Sequence, residues 1–131
     1  MRRSYVEDSV QKAIVYYLRL NGFLCTSQSA GLIKDMRTQI TANRLGYLKG
    51  SPDIIVWING GTLNIECKAP NVLGVSEKTG KMIKKKAEGK QSQSQKDFEE
   101  SITQINGHHY IVAKDPLDVA NYIKENNIRP V

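Results

Sequence analysis

The chain has 131 residues, of which 40% are hydrophobic and 24% charged, values that are ordinary for one soluble globular domain with its own core. Its 19 Lys and Arg residues against 13 Asp and Glu give a net charge of +6, which favours a polyanionic partner, although many small proteins are this basic and bind none. No apolar run approaches the roughly 20 residues of a membrane span, and no signal region opens the sequence, so we expect a cytoplasmic protein. Cys25 and Cys67 lack metal-ligand spacing, and we expect both to be reduced thiols.

Apolar periodicity and turn residues predict alternating helices and strands. In chain order the predicted elements are a helix over Ser4–Asn21, a strand over Phe23–Ser27, a weaker helix over Ile33–Leu45, a strand over Asp53–Ile58, a return strand over Thr62–Lys68, a long loop or mobile hairpin over 71–90, a helix over Ser92–Asn106, a strand over His108–Ala113, and a helix from Pro116 to about Asn126. This order predicts a single α/β domain over 1–131, built around a mixed sheet.

Three charged residues interrupt the apolar pattern of the two central strands. Asp53 follows Pro52 and begins a strongly apolar strand, whereas Glu66 and Lys68 lie two residues apart in the return strand. Residues two apart on a strand share a face, so Glu66 and Lys68 project together and Cys67 points to the other side. A turn at Asn59-Gly60-Gly61 returns the second strand beside the first and brings Asp53 close to Glu66.

Two carboxylates and an ammonium group at one end of a hairpin suit metal-dependent hydrolysis of a phosphodiester. Asp53, Glu66 and the Cys67 backbone carbonyl offer hard oxygen ligands for Mg²⁺, and Lys68 can position the attacking water or neutralise the phosphate. The alternative is structural, because Glu-x-Lys is often a surface ion pair and Asp at a strand start often binds its own turn. The combined pattern favours the catalytic interpretation.

Glu7 and Gln95 are further candidates for the same site. Glu7 shares a helical face with apolar residues, where an acid is unexpected, and Gln95 lies one turn before Phe98. Each also completes a capping-box pattern, Glu7 with Ser4 and Gln95 with Ser92, so both interpretations stay open for each residue.

The remaining polar features are the two histidines and the Lys-rich segment. His108 and His109 are adjacent in a strand and point to opposite faces, which argues against a metal pair. The segment at 71–90 is a candidate DNA-backbone contact, or alternatively a solvated loop. Its candidate contact residues are Lys78, Lys81, Lys84, Lys85, Lys86 and Lys90.

These residues together resemble a known nuclease family. The resemblance is carried by Gly50-Ser51-Pro52-Asp53, Ile65-Glu66-Cys67-Lys68-Ala69, Ser92-x-x-Gln95-Lys96, and Gly107 before a strand. This pattern is similar to that of the VRR-NUC domain, which belongs to the PD-(D/E)xK nuclease superfamily. The sequence departs from the family pattern in its long Lys-rich insert at about 71–90.

The resemblance implies a fold, an activity and partners. It implies a restriction-endonuclease-like fold, a central mixed sheet flanked by helices. It also implies a Mg²⁺- or Mn²⁺-dependent endonuclease that acts on DNA, with Asp53, Glu66 and the Cys67 carbonyl on the metal, Lys68 in catalysis, and support from Glu7 and Gln95. Small stand-alone members, many from phages, are similar to Holliday junction resolvases that act as homodimers, which implies branched DNA, a dimer, and a bacterial or phage-infected cytoplasm.

Two other functions are compatible with the sequence. The first is a non-catalytic DNA-binding module on the same fold, although a retired site need not keep Asp53, Glu66 and Lys68 together. The second is a small enzyme acting on free nucleotides, which would show little salt dependence and no binding to duplex DNA.

Overall fold

The computed structural model describes residues 5–28, 36–70, 72–75, 82–86 and 90–131. Within these ranges the chain alternates helices and strands. The elements are α1 (Tyr5–Leu20), β1 (Leu24–Ser27), α2 (Met36–Arg44), β2 (Ile54–Ile58), β3 (Gly61–Cys67), β4 (Val72–Val75), β5 (Met82–Lys86), α3 (Gln93–Thr103), β6 (His108–Ala113) and α4 (Pro116–Glu125).

The centre of the fold is a four-stranded mixed sheet in the order β1-β2-β3-β6. The first three strands are antiparallel, and β6 joins the edge of β3 in parallel. The start of β6 lies so close to the β2–β3 turn that a Cβ atom on Gly61 would come within 1.7 Å of the Gly107 carbonyl oxygen. Glycine is required there because no side chain fits between the two backbones.

The hydrophobic core lies on one face of this sheet. Alternate residues of β2 and β3, such as Ile54 and Ile65, face inward and pack with Ile14 and Leu18 of α1 and with Val119 of α4. Pro116 at the first helical position and Asp115 as N-cap start α4, as the sequence predicted. The helices α1 and α4 therefore cover the apolar face.

The opposite face carries the polar residues of β3. The helix α3 packs against β6 on this side, with the Phe98 and Tyr110 rings 6.1 Å apart between centroids. Because helices cover both faces, β3 is buried from Leu63 to Cys67 on both of its sides. The polar side chains of its second face are thus enclosed.

The structure confirms the α/β class and the mixed sheet flanked by helices. The bounds of the helices and strands agree with the sequence predictions to within a few residues. The largest difference is at the end of α3. This helix ends at Thr103 because the Gln104 N–H turns back to the Ile102 carbonyl. Part of the predicted helix over Ile33–Leu45 lies outside the described residues. No helix in the described ranges is both long and apolar enough to cross a membrane.

The Lys-rich segment forms a separate two-stranded antiparallel sheet, in which β4 pairs with β5. The hairpin alternative is therefore confirmed for 72–75 and 82–86. Lys84, Lys85 and Lys86 lie in β5, whereas Lys78 and Lys81 lie outside the described residues.

Candidate active site

The two predicted carboxylates meet at the end of the β2–β3 hairpin. The register pairs Ile54 with Ile65, so Asp53 and Glu66 are the next neighbours on the other face. The Asp53 Oδ2 atom accepts a hydrogen bond of 2.8 Å from the Cys67 backbone N–H. This bond holds Asp53 against β3, and it confirms the convergence that the spacing predicted.

Lys68 joins this pair, as its position two residues after Glu66 predicted. The Lys68 Nζ atom lies 3.7 Å from Glu66 Oε1. The side chain of Cys67, between them in sequence, belongs to the apolar core on the opposite face. A backbone bond of 3.0 Å from Lys68 N–H to the Ala113 carbonyl fixes this end of β3 to β6.

All three charged residues are buried, with exposed fractions of 7% for Asp53, 3% for Glu66 and 8% for Lys68. Burying charges costs free energy, and replacing buried ion pairs by apolar residues is often neutral or stabilising. A surface ion pair, the structural alternative for Glu66 and Lys68, is therefore excluded. Two carboxylates and one ammonium group also leave the group with a formal charge of −1, which suits a bound cation.

Gln95 caps its helix and also contacts Glu66, so the capping interpretation is confirmed, and its role in catalysis stays a prediction. Its Oε1 atom accepts a bond of 2.8 Å from the Ser92 backbone N–H, which completes the capping box at the start of α3. Its Nε2 atom donates to Glu66 Oε1 at 2.6 Å. The capping bond therefore fixes the orientation of the amide and directs the NH₂ group toward the carboxylate.

The loop before Asp53 touches the same turn of α3. Gly50 has a φ of +92°, and a Cβ atom there would lie 2.2 Å from the Ser94 carbonyl oxygen. Only glycine combines this backbone conformation with so close an approach. Gly50 thus joins the Asp53 loop to the turn of α3 that carries Gln95.

The oxygen atoms at this site fit a hard divalent cation. The N–H and C=O of a residue in a strand point to the same side, so the Cys67 carbonyl lies at the strand edge that faces Asp53. In the described part of the chain, no set of three His, Cys, Asp or Glu side chains is grouped to hold a metal. Mg²⁺ needs no such set, because it commonly takes one or two carboxylates and keeps several waters.

The contacts of Gln95 and Lys68 with the Glu66 carboxylate both use Oε1. Its other oxygen, Oε2, is buried and receives no hydrogen bond from the described part of the chain. The oxygen atoms that could coordinate a metal at this site come from two carboxylates and one backbone carbonyl. Such hard oxygen ligands match Mg²⁺ or Mn²⁺.

Glu7, the two histidines and Lys90 are also among the predicted residues that the structure describes. Glu7 lies in the first turn of α1 and is half-buried, and its role at the site stays a prediction. His108 and His109 face opposite sides of the sheet, as predicted. The Nδ1 atom of His108 bonds to the Thr62 hydroxyl at 2.6 Å, and the Nδ1 atom of His109 bonds to the Tyr122 hydroxyl at 2.8 Å. Lys90 is exposed just before α3.

Sequence reasoning missed two buried polar residues on the same face. Asn64, two residues before Glu66, donates to the Thr62 hydroxyl at 2.9 Å and to the His109 carbonyl at 3.0 Å. The period of two was a sufficient signal for Asn64. Tyr110 pairs with Asn64 across the parallel strands, a register that no local pattern reveals.

Two surface pockets lie elsewhere on the described surface. One lies between β6 and α4 and is lined by Lys114, Asp118 and Tyr122 among others, and the other lies along α1 beside Lys12 and Arg19. Neither of these two pockets is lined by Asp53, Glu66 or Lys68.

No protein-family model, no curated protein and no solved structure matches this chain.

Proposed function

We propose that this chain is a Mg²⁺- or Mn²⁺-dependent endonuclease that hydrolyses phosphodiester bonds in DNA. The observation that carries the proposal is the burial of Asp53, Glu66 and Lys68 together at the end of one hairpin. Because this arrangement costs folding free energy, a function that requires it explains it better than stability does.

Each group has a chemical task in the proposed reaction. Asp53, Glu66 and the Cys67 carbonyl would hold the cation, which would supply water activation and stabilisation of charge on the phosphate. Lys68 lies beside Glu66 and supplies a positive charge to the attacked phosphate or orients the water. Gln95 fixes Glu66 by its bond to Oε1.

The proposal also includes a specific fold within the α/β class and a specific DNA substrate. The mixed sheet with helices on both faces is compatible with a restriction-endonuclease-like fold, as the VRR-NUC resemblance implies. The net charge of +6 suits DNA. We propose branched DNA, with four-way Holliday junctions foremost, as the substrate, and a homodimer as the active form, because two symmetric sites suit two strands of a junction.

The test compares labelled duplex, flap, splayed-arm and four-way junction substrates, each with Mg²⁺ and with a chelator. We expect cleavage only with Mg²⁺ and a preference for branched substrates. Lys68→Ala should abolish cleavage at saturating metal, whereas Lys124→Ala, in the last turn of α4 on the other side of the sheet, should cleave normally.

Two results would contradict the proposal. If folded wild-type protein binds DNA but never cleaves it with Mg²⁺ or Mn²⁺, the chain is a binding module. If Lys68→Ala cleaves as well as wild type, the assigned site is wrong.

A further inference from the structure

Tyr110 lies beside the candidate site and takes no part in the functions assigned above. It is in the middle of β6, it pairs with Asn64 of β3, and only 6% of its surface is exposed. Asn64 and Glu66 share a face of β3, so Tyr110 lies on the face that carries the site. Its ring contacts Phe98 of α3.

Gln91 connects the Tyr110 hydroxyl to α3. The Gln91 Nε2 atom donates to Tyr110 Oη at 3.3 Å and to Glu99 Oε1 at 3.1 Å. Gln91 directly precedes the N-cap Ser92, and Glu99 lies one turn after Gln95. The two bonds therefore tie the start of α3 to the sheet and to the next turn of the helix.

This anchored turn is the one that orients Gln95. The Gln95 amide bonds to Ser92 N–H through Oε1 and to Glu66 through Nε2, so a shift of the turn moves the donor away from the carboxylate. We propose that Tyr110 is a positioning residue for the catalytic metal site, acting through Gln91 and Gln95 to hold Glu66 in one orientation. The proposal rests on the proposed function, since it assigns Tyr110 to the site that would bind the cation.

The chemical state of Tyr110 suits this role. Burial raises its pKa well above the ordinary 10.0, and the nearby carboxylates of Glu66, Glu99 and Asp53 raise it further, against a lowering by the Gln91 bond. At neutral pH the hydroxyl is protonated, as it would be at its ordinary pKa, and adds no negative charge beside Glu66 and Asp53.

The test compares Tyr110→Phe with Tyr122→Phe. The control removes a hydroxyl whose 2.8 Å bond to His109 Nδ1 lies on the opposite face of the sheet. The first readout is the Gln95 side-chain amide signal in ¹⁵N NMR spectra without metal. We expect Tyr110→Phe to shift this signal and speed its exchange with solvent, and Tyr122→Phe to leave it unchanged.

The second readout is the Mg²⁺ concentration for half-maximal cleavage of a four-way junction. Partners that orient metal ligands typically contribute 10–100-fold in metal affinity or activity. Tyr110 acts one step further away, so we expect Tyr110→Phe to raise this Mg²⁺ concentration roughly threefold to tenfold. The rate at saturating Mg²⁺ should fall less than the apparent affinity, which a general loss of structure would not produce.

Gln91→Ala provides a second variant in case Tyr110→Phe folds poorly. It should reproduce both effects, and the double variant should be no worse than either single variant, because the two residues act in one chain of contacts. If both variants match Tyr122→Phe in both readouts, Tyr110 has no positioning role. If wild-type protein never cleaves DNA, the proposed function fails, and the Gln95 amide signal still decides whether Tyr110 positions that side chain.

Discussion

The buried contact between Glu66 and Lys68 makes a prediction about stability that does not depend on nuclease activity. The perturbation is a double-mutant cycle of Glu66→Gln and Lys68→Met, each of which removes one charge while nearly preserving side-chain size. The two charged atoms lie 3.7 Å apart, and both residues are more than nine-tenths buried. Each single change therefore removes the opposite charge that lies 3.7 Å from the buried charge that remains.

The expected magnitude follows from the separation. At ~4 Å and an effective dielectric constant of ~20, Coulomb's law gives about 4 kcal/mol of attraction, most of which is offset by lost hydration. We expect each single variant to lose about 2 kcal/mol of unfolding free energy and the double variant to lose about 1–2 kcal/mol less than their sum. For 131 residues, a loss of 2 kcal/mol lowers Tm by about 7 °C.

The assay is urea and thermal denaturation at neutral pH, followed by circular dichroism and without divalent metal. Lys124→Met serves as the control, since Lys124 is exposed in the last turn of α4 and its loss should change stability by no more than about 0.5 kcal/mol. If the losses of the two single variants add in the double variant to within about 0.5 kcal/mol, Glu66 and Lys68 do not interact in the folded protein, and the site is not assembled as described.

Three other perturbations test separate parts of the structure. Gly50→Ala should lower the unfolding free energy by about 2 kcal/mol or more in urea denaturation, because φ is positive and the new Cβ would meet the Ser94 carbonyl; unchanged stability would contradict this contact. The pKa of Tyr110 is raised in the folded state, so the tyrosines of unfolded chains ionise first as the pH rises above about 10. The contribution of Tyr110 to stability is therefore present below about pH 10 and is lost above it. Tyr110→Phe should accordingly lose less stability between neutral pH and pH 11 than wild type does. About 10 mM Mg²⁺ should raise Tm by about 5 °C if the dissociation constant is roughly 1 mM, and Asp53→Asn should remove this shift; an equal shift in that variant would place the cation elsewhere.

The β2–β3 hairpin shows how much local sequence determined. Asn59-Gly60 sets a tight turn between two apolar strands, and the turn fixes the register by proximity along the chain. From that register alone, Asp53 had to meet Glu66, and Lys68 had to share its face. The capping pattern of Ser92 and Gln95 likewise determined where α3 begins.

The ambiguity of Gln95 shows where local sequence was insufficient. A capping box predicts that the Gln95 oxygen bonds to the helix N-terminus, but it does not state what the amide NH₂ group faces. That depends on which face of the sheet receives α3, and in the structure this is the face that carries Glu66. The close approach of Gly50 to Ser94, which no periodicity reveals, completes the arrangement.

The sequence by itself determined the strands of the four-stranded sheet, the helices α1, α3 and α4, and the meeting of two acids and a lysine, because these follow from periodicity and from one short turn. Only the tertiary structure decided that β6 lies parallel to β3, that Tyr110 and Gln91 stand beside the site, and that the charges are buried. The physical reason is distance along the chain. The partner of a parallel strand and the covering of a sheet face arise from contacts between segments tens of residues apart, and no local pattern of residues encodes them.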